Sequence, residues 1–134
     1  MLTGEIKLKI VEIAKKYGFK LVVLFGSQAT GRVHKKSDVD IGYLSERAID
    51  YRELYDITLE LSRIFNNPDI ELVNLNNVSP ELKKQVADQG IVLHEDNTVL
   101  FDLFKVRAHR AYMETKPLRR YRDVYLEKFI QKYA

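Results

Sequence analysis

From residue 3 to 17, Ile6, Ile10, Ile13, Ala14 and Tyr17 fall on one stripe at helical spacing, and Gly18 stands where such a helix would end. The period then changes. Residues 20–25 run Lys-Leu-Val-Val-Leu-Phe, almost without a polar interruption, which predicts a strand buried on both faces. A second strand is expected over 39–44. Leu54, Ile57, Leu61, Ile64 and Phe65 restore the helical stripe across 51–66, and Asn66-Asn67-Pro68 stops it. A third strand is expected at 69–75. Ser79 as N-cap, Pro80 at the first helical position and Gly90 past the end mark a helix of two to three turns, before a short strand Ile91-Val92-Leu93.

Alternating helices and strands of these lengths predict an α+β fold, a small mixed β-sheet with helices mainly on one face. Residues 1–96 would form this domain, and residues 97–134 a basic, aromatic helical tail packed on it or docking a partner. In the tail, Leu100, Phe104, Ala108, Ala111 and Tyr112 make one amphipathic helix. Pro117 separates it from a second, where Tyr121, Tyr125, Phe129 and Tyr133 recur every fourth residue beside Arg119, Arg120, Arg122, Lys128 and Lys132.

Composition narrows the setting. A chain of 134 residues with 46% hydrophobic residues suffices for one modest core. The absence of cysteine excludes disulfides and thiolate metal sites. Charged residues break up the first 18 positions, so neither a signal peptide nor a membrane span is expected and the protein should be cytoplasmic. The net charge of +3 is uneven: residues 97–134 hold nine Lys/Arg against four Asp/Glu, or +5, while the first 96 carry −2.

The chemistry concentrates in residues 21–44. Gly26-Ser27 follows the apolar strand, and ten residues later comes Asp38-Val39-Asp40. A strand sends Asp38 and Asp40 to the same face, about 6.6 Å apart, where they repel unless a cation lies between them. Oxygen ligands of this kind suit Mg²⁺, and two such ions would serve an in-line displacement at phosphorus. Gly26 lets backbone amides approach a phosphate, and Ser27 offers a hydroxyl beside them. Either dipeptide alone is ordinary turn chemistry; the spacing and the flanking strands carry the signal. No GxxxxGK[ST] occurs, which argues against a P-loop enzyme.

The stretches Gly26-Ser27-Gln28-Ala29-Thr30-Gly31 and Ser37-Asp38-Val39-Asp40-Ile41 resemble the motif of the DNA polymerase β-type nucleotidyltransferase superfamily. Within it, the chain is similar to the minimal nucleotidyltransferases (MNT), the antitoxin half of HEPN/MNT toxin–antitoxin pairs. The similarity runs on through Ile70–Asn76, Ser79–Leu82 and the tail around Tyr112 and Lys116-Pro117-Leu118. It implies that Gly26 and Ser27 bind the triphosphate of ATP and that Asp38 and Asp40 ligate Mg²⁺. A third acid on the following strand would help deprotonate the acceptor. The implied reaction is transfer of AMP to a tyrosine hydroxyl on a cognate HEPN ribonuclease toxin, with pyrophosphate leaving. HEPN ribonucleases carry an arginine four to six residues before a histidine; none stands at those places before His34, His94 or His109, which points to the antitoxin side.

One departure stands out. Where such proteins usually read VDLVDLN, this chain reads IELVNLN, so Glu71 replaces the first acid and Asn74 the second. By register Glu71 is the expected third acid, both as base and as metal ligand. Asp69, two residues earlier on the same face, is the competing candidate. Because glutamate is one methylene longer, a catalytically weak antitoxin that neutralises by complex formation stays open, as does another hydroxyl acceptor. Arg32, His34, Lys35 and Lys36 are expected to steer or touch the triphosphate or to form an exposed loop. For the tail, packing on the domain, docking of a partner protein and nucleic-acid binding compete, the last weakened by the modest net charge.

Overall fold

The computed structural model describes residues 3–30 and 38–133. Helix α1 spans Gly4–Tyr17, capped by Thr3, whose Oγ1 accepts the Ile6 N–H at 3.2 Å, and closed by Gly18 at φ 75°. Strand β1, Phe19–Phe25, leads through Gly26 into α2, a single turn at Ser27–Thr30. Then come β2, Val39–Ser45; α3, Tyr51–Phe65; and β3, Ile70–Asn74. Helix α4, Pro80–Gln89, has the expected Ser79 cap, with Oγ accepting the Leu82 N–H at 3.2 Å. Strand β4 covers Ile91–Glu95, two residues more than expected, and α5 and α6 cover Leu100–Glu114 and Lys116–Tyr133. Pro117 lies in the first turn of α6, where its missing N–H costs nothing.

The four strands form one mixed sheet in the order β3-β2-β1-β4. β1 is antiparallel to β2 and to β4, while β2 and β3 are parallel, as strands joined through a helix such as α3 can be. Alternation along β1 divides the core in two. Phe19, Val22 and Leu24 point toward α1 and α3, meeting Ile10, Ile13, Ile57 and Leu61. Leu21, Val23 and Phe25 point the other way, meeting Leu75, Val86, Phe101, Phe104 and Ala108 from the β3–α4 loop, α4 and α5. Helices thus lie on both faces, more evenly than the expected arrangement mainly on one. The stripe of α5, assigned from sequence to the tail, supplies much of this second core.

Helix α6, unlike the other helices longer than one turn, buries none of its residues. Among the described residues, no helix is long and apolar enough to cross a membrane.

Candidate functional site

The C-terminal end of β1 and the N-terminal ends of β2 and β3 meet at one corner of the sheet. Phe25 pairs with Asp40 in the antiparallel ladder, and Asp40 pairs with Glu71 in the parallel one. Val39, Ile41 and Tyr43 face the α1–α3 core, so Asp40 projects to the opposite side, which it shares with Glu71. Asp40 and Glu71 therefore share the face of the sheet on which α4 and α5 pack.

Gly26 fixes where the Asp40 carboxylate lies. Its φ of 74° is left-handed, and a Cβ placed there would overlap Asp40 Oδ2 and come within 3.1 Å of Cγ. The glycine thus serves two needs, the turn and the space for the acid. Ala29 and Thr30 donate their N–H groups to the Gly26 carbonyl at 3.1 and 3.2 Å, and Thr30 Oγ1 donates to the Ser27 carbonyl, so the turn after β1 is held by its own residues.

Asp40 is half-buried. Burial in the sheet corner, then the hydrogen bond with Glu71 and the negative charges of Glu71 and Asp38, raise its pKa from 3.8 to about 6. Every one of these influences is desolvation or another carboxylate, an arrangement that a cation would relieve. Asp38, exposed, sits just before β2 and close enough to contribute to that field. Among the described residues, no three acidic or imidazole side chains are gathered into a ready-made cation cage. What stands there is a carboxylate pair with a third acid at its flank.

The two third-acid candidates stand differently toward Asp40. Glu71 is paired with Asp40, whereas Asp69 accepts the Val39 N–H on its backbone carbonyl at 2.9 Å and has no part in the field around Asp40. Asn74 does not belong to the corner: its Oδ1 accepts the Asn76 N–H at 2.9 Å, shaping the turn after β3. His94, on β4, has its Nε2 2.8 Å from Oδ1 of Asp96, just past the strand's end. Arg32, His34, Lys35 and Lys36, with Gly31 and Ser37, lie outside the described residues.

Beside the turn opens a cleft of about 380 Å³, lined by Gly26, Ser27, Thr30, Gln85 and Gln89. The two glutamines are four residues apart on α4 and line the cleft opposite the Gly26–Ser27 turn. Sequence reasoning missed them, because polar residues on an amphipathic helix read as its solvated face. Their i,i+4 spacing was visible, but only the packing of α4 beside β1 gives it meaning.

A turn of this kind after one strand, paired with acids on the next two strands, defines a nucleotidyltransferase, and comparison agrees. The chain belongs to the polymerase beta nucleotidyltransferase family, which it matches over residues 8–99. It is 30% identical over 129 residues to the protein adenylyltransferase MntA of Aphanizomenon flos-aquae, covering 86% of this chain and 83% of that protein. It is also similar to a crystal structure of a toxin–antitoxin with AMP-PNP, with TM-score 0.75 and 26% identity, covering 92% of this chain and 98% of that one. The same fold, at 23% identity and TM-score 0.70, occurs in a complex of MNT antitoxin with tri-AMPylated HEPN toxin from Shewanella oneidensis, covering 94% of this chain and 97% of that one.

Proposed function

We propose that this chain transfers AMP from Mg-ATP to a tyrosine hydroxyl of a partner HEPN ribonuclease toxin and so acts as its antitoxin. The observation that carries the reading is the placement of the Asp40 carboxylate in the space left by Gly26, in register with Glu71. Phosphate cradle and acidic pair are adjacent parts of one surface, as transfer from a nucleotide requires. Family membership and similarity to adenylyltransferases support the same class of reaction.

In this reading the Ser27 hydroxyl and the backbone amides around Gly26 hold the β- and γ-phosphates. Asp38 and Asp40, with Glu71 as third ligand, would hold Mg²⁺, expected as two ions, which would supply positive charge where the phosphates and the leaving oxygen gain negative charge. The crowded, partly desolvated carboxylates fit that charge, since only other acids and burial act on Asp40. The acceptor oxygen attacks the α-phosphorus, the bond to the bridging oxygen of pyrophosphate breaks, and Glu71 takes the hydroxyl proton. A tyrosine hydroxyl, with pKa near 10, needs this help at neutral pH. The exposure of Glu71 leaves it open to an acceptor brought by another protein.

Labelled ATP with Mg²⁺ tests the proposal. The co-encoded HEPN protein should become labelled, and Asp38→Asn or Asp40→Asn should abolish the label. Normal labelling by both variants would refute the carboxylate assignment. If neutralisation survives in the double variant with the complex intact, occlusion rather than AMP transfer silences the toxin.

A further inference from the structure

Helix α6 is an 18-residue rod, about 27 Å long, that buries none of its side chains. Leu118, Tyr121, Tyr125, Phe129, Ile130 and Tyr133 are each at least half exposed, up to 74% for Tyr121, and a 3.6-residue period places them on one half of the helix. Phe129 and Tyr133 pack on each other at 4.7 Å between ring centroids, so the aromatic surface is partly ordered without a neighbour. A contiguous apolar face of this size on a soluble domain marks an interaction site.

Charge decides what covers it. α6 carries Lys116, Arg119, Arg120, Arg122, Lys128 and Lys132 against Asp123 and Glu127, a net of +4. The cations occupy both ends of the helix and the acids its middle. Against a second copy of α6, parallel alignment sets like ends together, and antiparallel alignment sets Arg119–Arg122 against Lys128–Lys132. Both put cations opposite cations. A different protein with an apolar, ring-accepting groove flanked by carboxylates suits the face instead.

We infer that α6 is the docking helix for the HEPN toxin, its aromatic half seated in an acidic-rimmed groove of that partner. This rests on the function proposed above. The similarity to a toxin–antitoxin structure with AMP-PNP, 26% identical over 92% of this chain, supports a toxin as the occupant. Anchoring also has a geometric use. Arg119 stacks over Tyr112 at 3.7 Å, and Arg122 approaches Glu81 at 4.0 Å, linking the start of α6 to α5 and to α4, the helix that lines the phosphate cleft. A toxin held on α6 is therefore tethered to the body that carries the site.

The test compares the wild-type chain with Phe129→Asp, Tyr125→Asp and a control, Glu127→Gln on the opposite side of α6. Each is measured for complex formation with the co-encoded HEPN protein and, separately, for AMP-PNP affinity with Mg²⁺. The two aromatic variants should weaken the complex by at least about thirtyfold, as loss of a hot spot does, with AMP-PNP affinity unchanged and the control like wild type. Wild-type complex strength in both aromatic variants overturns the inference. So does a dimer of the chain alone that Phe129→Asp dissociates, or a wild-type chain that binds AMP-PNP but not the toxin. If AMP-PNP fails to bind the wild type while the aromatic variants still disrupt the complex, the docking surface stands and the catalytic reading falls.

Discussion

Replacing Asp40 by asparagine should stabilise the cation-free protein while removing its activity. The carboxylate prefers to be protonated in the fold, because its pKa rises from 3.8 to about 6 through burial, the Glu71 hydrogen bond and the charges of Glu71 and Asp38. With the folded-state value above the unfolded one, the favourable contribution is complete below about pH 3.8 and is lost as the pH climbs through 6. At about 1.4 kcal/mol per pKa unit the shift would be worth roughly 3 kcal/mol. Solvent reaches this half-buried group, and screening reduces the figure to roughly 1 to 2 kcal/mol. Asparagine keeps the shape, can donate to Glu71 and carries no charge. Urea unfolding in EDTA at pH 4 and pH 7.5 measures the effect. The variant should exceed wild type by roughly 1 to 2 kcal/mol at pH 7.5, with the gap closing toward pH 4. A variant no more stable than wild type at pH 7.5 would refute the account of Asp40 as a strained acid awaiting a cation.

Gly26→Ala should abolish AMP transfer and lower stability by about 1 to 2 kcal/mol, the cost of a left-handed alanine; thermal unfolding and the labelling assay read the two effects. Substituting the third-acid candidates separates them. Glu71→Gln should reduce labelling at least about a hundredfold and Asp69→Asn hardly at all, and the reverse result would move the base to Asp69. Gln85→Ala or Gln89→Ala should raise KM for ATP about tenfold while leaving binding of AMP unchanged, as expected if their amides meet the β- and γ-phosphates. Equal loss for ATP and AMP would place them against the nucleoside instead.

The local signals were legible wherever one residue type has one physical reason to be there. Ser79 and Pro80 start α4 as expected, Gly18 ends α1 in the left-handed conformation, and the period-two stretch around Asp40 gives a strand whose Val39, Ile41 and Tyr43 enter one core. Register was half legible: alternation left Asp69 and Glu71 on the same face, and only the parallel pairing of β2 with β3 matched Glu71 to Asp40. Long-range packing was not legible. The stripe Phe101, Phe104 and Ala108 has the same period whether it covers the sheet or a partner, so the second core was not expected. The end of β4 was hidden because His94 and Glu95 are polar, as residues on an edge strand can be.

Strand β3 forms one rim of the sheet, with no further strand among the described residues beyond it to wall off Glu71. A proton acceptor there, the role proposed for Glu71, would stand on a shoreline rather than in a well and would not require its client to be engulfed. Side chains on a protruding loop could be presented there one after another, each reaching the same oxygen by a small slide along the rim. A small alcohol diffusing freely would find nothing to lean on, so selectivity would come from whatever carries the tyrosine and not from the shape of the chamber.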